Sequence, residues 1–442
     1  MISSSLIPFS DSAFDAWRIH APSFSGSFEH DAPVLSAHLE RAEGWLGTMG
    51  SKRTRTVEKQ RDAELIHQAC RVVRGRFLDR HVEALYHELT SGYTRRPGLV
   101  ALAAEAAQRV PHLLPSEAQM ADERALTQTD KEGREIDQGI FFGALLRSDV
   151  AGRHLVDSML LPGKRALGLI EAFKRSGVVR LDTLEVRRQD GAAQITVLNG
   201  HSLNAEDNDL IADMETAVDL ALLDPAVKVG ILRGGAVSHP KYAGRRVFSA
   251  GINLKHLRDG KISFVQFLLQ RELGYISKIL RGALVADGGA LLPLEKPWVA
   301  AVDSFAIGGG AQLLLVFDSV IAEAGSFFSL PAAREGIVPG VANLRLGRAV
   351  GSRMARQVIL GGRRILASEP AGALVFDEVV DGAAMDEVIA RHVDALSSPA
   401  AVPNRRMLTL GEEPVDAFRM YMAEFAPEQA LRLYSPDVIG NL

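Results

Sequence analysis

Two short glycine-containing segments carry the residues whose types and spacing are best suited to chemistry. They are Ser249-Ala250-Gly251-Ile252 and Ile307-Gly308-Gly309-Gly310, and helix-forming residues follow each of them. A helix N-terminus leaves backbone N–H groups unpaired, and such groups bind negatively charged oxygen. If the two turns face each other, one N–H from each forms an oxyanion hole, in which each donor contributes about 2.7–4 kcal/mol. The alternative is that the glycines only permit close packing of helix on strand, and the spacing leaves both open.

The elements that must position these turns alternate between strand and helix from about residue 181 onward. Alternating apolar and polar residues around Gln189-Asp190-Gly191 predict a β-hairpin over 184–198. An acidic segment, Asn204 to Asp207, predicts the start of an amphipathic helix that ends at Asp224-Pro225. The remaining predictions for this part of the chain are strands at 227–232, 298–302 and 319–322, a helix at 263–280 and a loop at 282–296. This alternation indicates an α/β core.

The rest of the chain is predicted to be helical. Helix formers with apolar residues three and four apart occupy 39–46, 56–89 and 99–110. The predicted division is a helical N-terminal domain over 1–180, the α/β core over 181–368 and a helical C-terminal region over 369–442. In the last region an apolar stripe, typical of a core or a subunit contact, is formed by Val415, Phe418, Met422 and Phe425.

The bulk composition excludes several classes of protein. The chain has 442 residues, of which 47% are hydrophobic and 24% charged, and its net charge of -4 carries no nucleic-acid signature. The single cysteine, Cys70, excludes an intramolecular disulfide and a cysteine-based metal cage, which suits a reducing cytosol. The N-terminal residues predict no secretory signal, and no apolar run reaches the roughly 20 residues that span a bilayer. We therefore expect a cytoplasmic protein without metal.

Five motifs, in order, resemble those of the crotonase (enoyl-CoA hydratase/isomerase) superfamily. They are Asn204-Ala205, the segment Asp224-Pro225-Ala226-Val227-Lys228-Val229, the segment Phe248-Ser249-Ala250-Gly251-Ile252-Asn253-Leu254, the segment Gly308-Gly309-Gly310-Ala311-Gln312-Leu313, and Gly336-Ile337-Val338-Pro339-Gly340. One such motif is weak evidence, whereas five in sequence order identify the fold. The resemblance implies an α/β core built as a crotonase-like spiral of ββα units.

The same resemblance implies a ligand and roles for particular residues. It makes Ile252 and Gly309 the two N–H donors to the thioester oxygen of an acyl-CoA. It also places Arg246 and Lys255 near the CoA phosphates, although both could be ordinary surface charges. Superfamily members form trimers or hexamers, so we expect a homo-oligomer, with the C-terminal region covering the pocket and supporting assembly.

Two residues that hydratases of this superfamily need are missing. The first catalytic glutamate follows the glycine run, where this chain has Gln312, and the second follows Pro331, where it has Ala332. A carboxamide cannot act as a carboxylate base, and alanine has no titratable group. The chain is therefore expected to stabilise a thioester enolate without adding water to an enoyl bond.

Over nearly its whole length the chain resembles an oxygenase branch of the superfamily that contributes to glycopeptide-antibiotic biosynthesis. The resemblance implies a cofactor-independent dioxygenation, with neither metal nor flavin, of an arylacetyl-CoA that bears two phenolic hydroxyl groups. The products would be an arylglyoxylate and CoA. A carbanion delocalised into ring and thioester can pass one electron to O2 directly, so the expected partners are an acyl-CoA and O2 only.

Further residues are nominated for this reaction by resemblance and placement. Glu206, Arg271 and Gln312 would bind the ring hydroxyls, although Glu206 could only complement a helix N-terminus and Arg271 could form an internal salt bridge. His239 could assist deprotonation or be merely exposed, and Leu254 would line an apolar O2 pocket. Two alternatives stay open: a thioesterase or decarboxylase using the same oxyanion hole, and a catalytically inactive acyl-CoA-binding scaffold.

Overall fold

A computed structural model of the chain describes residues 11–441. They form two compact units, one made of 11–155 with 258–261 and 422–434, and the other of 156–257, 262–421 and 435–441. We call them the helical unit and the sheet unit, after the elements that each contains. The three-domain division at residues 180 and 368 stays a prediction about independently folding parts.

Nineteen α-helices occur within residues 11–441. They are α1 (Asp11–Ile19), α2 (Phe28–Thr48), α3 (Val57–Leu89), α4 (Leu99–Arg109), α5 (Glu117–Arg124), α6 (Glu135–Arg147), α7 (Asp149–Met159), α8 (Lys164–Ser176), α9 (Asn208–Leu223), α10 (Leu254–Arg258), α11 (Ser277–Arg281), α12 (Gly309–Leu314), α13 (Ala332–Glu335), α14 (Ala342–Val350), α15 (Ser352–Ile359), α16 (Met385–Leu396), α17 (Ala401–Glu412), α18 (Val415–Arg432) and α19 (Pro436–Asn441). The first six lie in the helical unit, so the predicted helical character of the N-terminal region is confirmed.

The strands all lie in the sheet unit. They are β1 (Val178–Arg180), β2 (Leu184–Gln189), β3 (Ala192–Val197), β4 (Val229–Gly234), β5 (Ala283–Asp287), β6 (Ala290–Leu294), β7 (Trp298–Val302), β8 (Phe305–Ile307), β9 (Ser319–Glu323), β10 (Phe327–Ser329), β11 (Ile365–Leu366) and β12 (Glu378–Val380). The main sheet has the order β1-β2-β3-β4-β7-β9-β12 and is antiparallel up to β3 and parallel from there on. A smaller sheet has the order β11-β10-β8.

Helix α16 covers one face of the main sheet. Its Met385, Ile389 and Val393 pack on Ile231 and Val299 of the parallel strands in one apolar cluster. Apolar residues at this spacing form the buried stripe of an amphipathic helix, and their burial stabilises the layer by about 25 cal/mol per Å². The α/β core with helix-covered sheet is thus confirmed.

The predicted hairpin over 184–198 is confirmed, because β2 and β3 pair antiparallel around Asp190 and Gly191. The predicted loop at 282–296 is wrong, since β5 and β6 form a second antiparallel hairpin there. Its turn is made by Gly288 and Gly289, which adopt φ values of 56° and 89°. Two adjacent glycines supply the positive φ angles that a tight hairpin turn requires, and that signal predicts a turn between strands.

The predicted helix at 263–280 is interrupted. It consists of two π-helical segments, Phe264–Leu269 and Glu272–Ile276, followed by α11. Gly274 lies inside the second with φ -91° and ψ -114°, outside the helical region. π-helical turns insert an extra residue and are frequent at functional sites, so this segment bears on the site described below.

Helix α6 of the helical unit packs on α18 through two glycines four residues apart. A Cβ atom on Gly139 would lie 2.7 Å from the Cβ of Ala430, and one on Gly143 would lie 2.8 Å from the carbonyl oxygen of Ala423 and 2.9 Å from Pro427. Such distances exclude any side chain at these positions. The C-terminal part of α18 is therefore in backbone contact with α6.

The predicted apolar stripe of α18 is mostly buried. Phe418, Met422 and Phe425 are buried, whereas Val415 is 39% exposed. Cys70 is a free, buried cysteine, and burial raises the pKa of its thiol to about 11. No helix within residues 11–441 is long and apolar enough to cross a membrane.

The glycine contact between α6 and α18 can be tested by substitution. Gly143→Leu is expected to lower the free energy of unfolding by about 3 kcal/mol, because the added side chain must push the two helices apart. Urea unfolding followed by far-UV circular dichroism measures the change. The control is Gly75→Ala on α3, where a Cβ meets nothing within 4 Å. There the expected change is neutral or stabilising by up to about 1 kcal/mol, and an unchanged urea midpoint for Gly143→Leu would contradict the packing.

Candidate active site

The two glycine turns lie side by side in the sheet unit. Ser249 and Ala306 form a parallel bridge, in which Ile307 N–H donates to the Ser249 carbonyl at 3.0 Å. Gly251 has φ 81°, and a Cβ atom on it would lie 2.8 Å from the Ile307 oxygen and 3.1 Å from the Gly309 nitrogen. The turns therefore face each other at backbone contact, as an oxyanion hole requires.

A different physical constraint requires glycine at each of the positions 308, 309 and 310. Gly308 has φ 54° and ψ -119°, which an L-residue rarely adopts. A Cβ atom on Gly309 would collide with the Glu206 carboxylate, and one on Gly310 would lie 2.5 Å from the Cβ of Ser249. The run thus bends the chain, admits a carboxylate to the helix start and lets the neighbouring turn approach.

The backbone N–H groups of Ile252 and Gly309 have no acceptor within residues 11–441. Gly309 is the first residue of α12, so its N–H has no intrahelical partner. On either side of Ile252, the Glu206 N–H donates to the Gly251 oxygen at 2.7 Å and the Asn253 N–H donates to the Glu206 oxygen at 2.8 Å. Neither hydrogen bond uses the N–H group of Ile252. These are the two donors that the family resemblance nominates.

Arg271 is the centre of a buried polar cluster beneath the glycine run. Its Nε donates to Oε1 of Glu206 at 3.1 Å, and Nη2 donates to the Gly309 carbonyl at 2.6 Å. Nη2 also lies 3.1 Å from Oε1 of Glu206 as part of the ion pair. Its Nη1 donates to Oε1 of Glu272 at 2.8 Å and to Oε1 of Gln312 at 2.9 Å. A guanidinium has five N–H donors, and four of those of Arg271 make hydrogen bonds to the protein.

The charge of Arg271 is stabilised although it is buried. Burial by itself lowers the pKa of the Arg271 guanidinium, but Glu206 and Glu272 outweigh it and the net direction is upward. Tyr275 is also buried and donates its hydroxyl to Oε1 of Glu206 at 3.2 Å, and burial raises the pKa of that hydroxyl far above its usual range. A buried charge requires such paired acceptors.

Glu206 and Gln312 each have one side-chain atom without a hydrogen-bond partner within residues 11–441. All contacts of Glu206 with Arg271 and Tyr275 use Oε1, which leaves Oε2 beside the α-carbon of Gly309. Gln312 is half-buried and uses only its Oε1, which leaves the Nε2 amide donors unused. One acceptor and one donor are therefore available to a ligand next to the glycine run.

Sequence reasoning nominated Glu206, Arg271 and Gln312, and these residues lie together around Gly309. It missed Glu272 and Tyr275, which the π-helical segment Glu272–Ile276 brings to the same cluster. The available signal was a pair of charged residues inside an otherwise apolar stretch. Its meaning depends on π-helical geometry, which a period of 3.6 residues does not predict.

Gly340, in the last of the five motifs, closes the cluster on another side. It has φ 46°, and a Cβ atom on it would lie 2.5 Å from Oε1 of Gln312 and would collide with Oε1 of Glu272. Its carbonyl oxygen accepts a hydrogen bond from the Tyr421 hydroxyl at 2.6 Å. A glycine is required here because the two acceptor oxygens occupy the space of a side chain.

The other nominated residues lie apart from this cluster or at its edge. His239 is exposed and its Nδ1 accepts from Lys241 N–H at 3.3 Å. Arg246 is exposed, donates to the Gly234 carbonyl at 3.1 Å and lines a groove of about 860 Å³ with Arg233 and Asp386. Within the described chain, that groove is not lined by Arg271 or by the side chains around it, which are Glu206, Glu272, Tyr275 and Gln312. The predicted contacts of His239 and Arg246 with a ligand stay predictions.

Lys255 and Leu254 both belong to the first turn of α10, directly after the Ile252 turn. Lys255 is exposed and Leu254 is 48% exposed, so both side chains are accessible beside the site. Their roles, at CoA phosphates and in an O2 pocket, stay predictions.

Ala332 and Gln312 occupy the two positions at which a hydratase carries its catalytic glutamates. Ala332 is buried at the start of α13, and Gln312 is on α12. Glu335 lies at the other end of α13, where burial raises the pKa of its carboxyl group. Within residues 11–441 no group of three or more His, Cys, Asp or Glu side chains is placed to hold a metal ion.

The fold and the paired glycine turns define a crotonase-type protein, and the chain belongs to the enoyl-CoA hydratase/isomerase family, whose sequence pattern matches residues 187–409. It is 52% identical to a (3,5-dihydroxyphenyl)acetyl-CoA 1,2-dioxygenase from Amycolatopsis orientalis over 96% of this chain and 97% of that protein. The family membership and the crotonase-like core, both predicted from the five motifs, are confirmed.

More distant relatives match only the core. A probable enoyl-CoA hydratase from Rhizobium meliloti (strain 1021) is 31% identical over 56% of this chain and 91% of that protein. A solved enoyl-CoA hydratase structure from Mycobacterium avium subsp. paratuberculosis K-10 has a TM-score of 0.49 at 24% identity and covers 59% of this chain and 98% of that one.

Because Glu206 contacts the start of α12, substitutions of Glu206 and Gly309 are expected to have non-additive effects on stability. Gly309→Ala is expected to cost about 1–3 kcal/mol of stability, because its methyl group displaces the Glu206 carboxylate. Glu206→Ala removes that carboxylate, so the double variant is expected to show a coupling energy of about 0.5–3 kcal/mol in a thermal-unfolding cycle.

The control for this cycle is Gly347→Ala in α14, where a Cβ meets nothing within 4 Å. Paired with Glu206→Ala it is expected to be additive within about 0.5 kcal/mol. Strict additivity of Gly309→Ala and Glu206→Ala would show that the carboxylate does not occupy the space beside Gly309.

Proposed function

We propose that this chain is a cofactor-independent dioxygenase that converts (3,5-dihydroxyphenyl)acetyl-CoA and O2 to 3,5-dihydroxyphenylglyoxylate and CoA, a step of glycopeptide-antibiotic biosynthesis. The observation that carries the proposal is 52% identity to the dioxygenase from Amycolatopsis orientalis over 96% of this chain. The residues of the site support it, because Gln312 and Ala332 leave no hydratase acid–base pair.

The thioester oxygen is proposed to bind the N–H groups of Ile252 and Gly309. Both are free of protein acceptors within the described residues, and their turns are in backbone contact. Removal of a proton from the α-carbon converts the thioester carbonyl into an enolate, whose negative oxygen these donors stabilise. Preorganised backbone donors of this type contribute about 2.7–4 kcal/mol each in other enzymes.

The two ring hydroxyls are proposed to bind Glu206 and Gln312. Glu206 offers Oε2 as an acceptor and Gln312 offers Nε2 as a donor, and neither atom has a protein partner within residues 11–441. Arg271, the third nominated residue, is proposed to bind the ring hydroxyls with them. Its hydrogen bonds to Glu206 and Gln312 also hold these two residues in place.

The proposed reaction balances without an added oxidant or reductant. The enolate passes one electron to O2, and the resulting carbon radical and superoxide combine to a peroxide at the α-carbon. The distal oxygen attacks the thioester carbonyl and expels CoA as thiolate, and O–O cleavage with loss of the second α-proton gives the ketone and the carboxylate. Both oxygen atoms of O2 enter the product, and the protein supplies orientation and oxyanion stabilisation.

We propose that the remaining nominated residues have the roles in this reaction that the family resemblance implies. His239 assists deprotonation, Leu254 lines the O2 pocket, and Arg246 and Lys255 bind CoA phosphates. The C-terminal region covers the acyl pocket, which the hydrogen bond from Tyr421 to Gly340 supports. We propose that the reaction takes place in the cytosol.

The proposal predicts strict dependence on O2. Purified protein with (3,5-dihydroxyphenyl)acetyl-CoA is expected to release CoA in air and not under argon, and ¹⁸O2 is expected to label both the keto and the carboxylate oxygen of the product. Thiol titration and mass spectrometry measure these outcomes. Equal CoA release under argon would identify a thioesterase.

Two controls complete the test. Tight binding of the CoA ester without turnover in air would identify an inactive scaffold. Metal and flavin analysis of active protein tests cofactor independence, and stoichiometric iron that tracks activity would refute that part.

We further propose that the protein is a homotrimer or homohexamer, as its family resemblance implies. Helix α17 supports this, because Met407, Leu408 and Leu410 are 64%, 63% and 59% exposed in the single chain. Light scattering coupled to gel filtration is expected to give a mass three or six times that of the chain. Leu408→Lys tests whether α17 is buried in the assembly, and a monomeric wild-type mass would overturn the proposal.

A further inference from the structure

A second carboxylate shares the guanidinium that holds Gln312. Oε1 of Glu272 and Oε1 of Gln312 both accept from Nη1 of Arg271, at 2.8 and 2.9 Å. The same two oxygens lie against the α-carbon of Gly340, so they are close neighbours. Glu272 is only 2% exposed. The oxygen of residue 312 therefore sits beside a buried carboxylate.

The arrangement determines which end of the Gln312 carboxamide faces the ligand. Because Nη1 of Arg271 is a donor, it binds Oε1 and directs the amide N–H groups the other way. Nη1 has two hydrogens, and Glu272 takes the second of them. The orientation of Gln312 is thereby locked by an arginine whose own orientation Glu272 helps to fix.

The charge balance of the cluster explains why a hydratase-type glutamate does not fit at position 312. Arg271 already pairs with two carboxylates, those of Glu206 and Glu272. A third carboxylate would place two like charges beside one guanidinium nitrogen, which disfavours their ionised forms. The neutral carboxamide of Gln312 accepts the same hydrogen bond without adding charge.

Glu272 has few other partners. Its Oε2 is buried without a hydrogen bond, and Nη1 of Arg345 lies 3.8 Å from it. Arg345 is itself engaged by Glu413, to which its Nε and Nη2 donate at 2.8 and 3.0 Å. The short contact of Glu272 is thus with Arg271, which is the contact expected of a residue that orients its neighbour.

We propose that Glu272 is a positioning residue for ring recognition: with Arg271 it fixes the Gln312 carboxamide so that its N–H donors face the acyl pocket. Its carboxylate also supplies the negative charge that a glutamate at 312 supplies in a hydratase. This inference rests on the proposed function, because it takes a hydroxylated ring as the group that Gln312 binds.

The first test compares two substitutions of Glu272 by calorimetric binding of non-reactive thioether analogues of two acyl-CoAs. Glu272→Leu is expected to weaken binding of the (3,5-dihydroxyphenyl)acetyl analogue by about 30-fold and that of the unsubstituted phenylacetyl analogue by less than about 3-fold. Glu272→Gln keeps a hydrogen-bond acceptor at this position and is expected to recover most of the lost affinity for the (3,5-dihydroxyphenyl)acetyl analogue. Equal weakening of both analogues, or none, would overturn the proposal.

The second test exchanges the charge between the two positions. Gln312→Glu is expected to weaken binding of the dihydroxyphenyl analogue by about 100-fold, and adding Glu272→Gln is expected to restore it to within about 10-fold of wild type. A double variant that binds no better than Gln312→Glu would overturn the proposal. If the Gln312→Glu variant does not fold, the comparison of Glu272→Leu with Glu272→Gln decides whether the proposal holds.

A matched control and a separate readout distinguish the possible failures. Glu43→Gln neutralises a carboxylate that pairs with Arg134 in the helical unit, and it is expected to lower thermal stability without changing the preference between analogues. If wild type does not distinguish the two analogues, the proposed substrate is wrong. If wild type distinguishes them and Glu272→Leu does so equally well, only the role of Glu272 fails.

Discussion

The buried guanidinium of Arg271 is the constraint on which the rest of the site depends. A charged group with five donors can be buried only if each donor finds an acceptor. The acceptors come from four segments: Glu206 ahead of α9, Glu272 in a π-helical turn, the carbonyl of Gly309 at the start of α12, and Gln312 one turn later. Satisfying this one group therefore holds together elements that are distant in sequence.

The same constraint accounts for the glycines around it. Gly309 and Gly340 are the points where the carboxylates of Glu206 and Glu272 approach the backbone too closely for a side chain. Gly251 and Gly308 have positive φ angles and bring the two turns into contact. The oxyanion-hole frame and the polar cluster are thus parts of one packing arrangement, because Glu206 belongs to the cluster and also lies against Gly309 of the frame.

This arrangement gives a physical account of how one family frame can serve different reactions. The frame stabilises negative charge on a thioester oxygen, whatever happens next at the α-carbon. Hydration needs carboxylates beside the pocket, and here those positions hold Gln312 and Ala332. In the proposed reaction the electrons come from the enolate itself and the oxidant is O2, so the protein's task is to form the enolate and orient the ring.

The sequence by itself determined the family, the two turns, the hairpin over 184–198 and the absence of the hydratase carboxylates, because these depend on local residue types and on motif order. The hairpin at β5–β6 was missed although Gly288-Gly289 signals a turn, since its short flanking strands alternate weakly. Only the tertiary structure decided that Arg271 takes its acceptors from four separate segments and that Glu272 and Tyr275 join the site. The physical reason is that a π-helical turn shifts residues to a new face, and that charge pairing across 65 residues, as between Glu206 and Arg271, leaves no trace in local spacing.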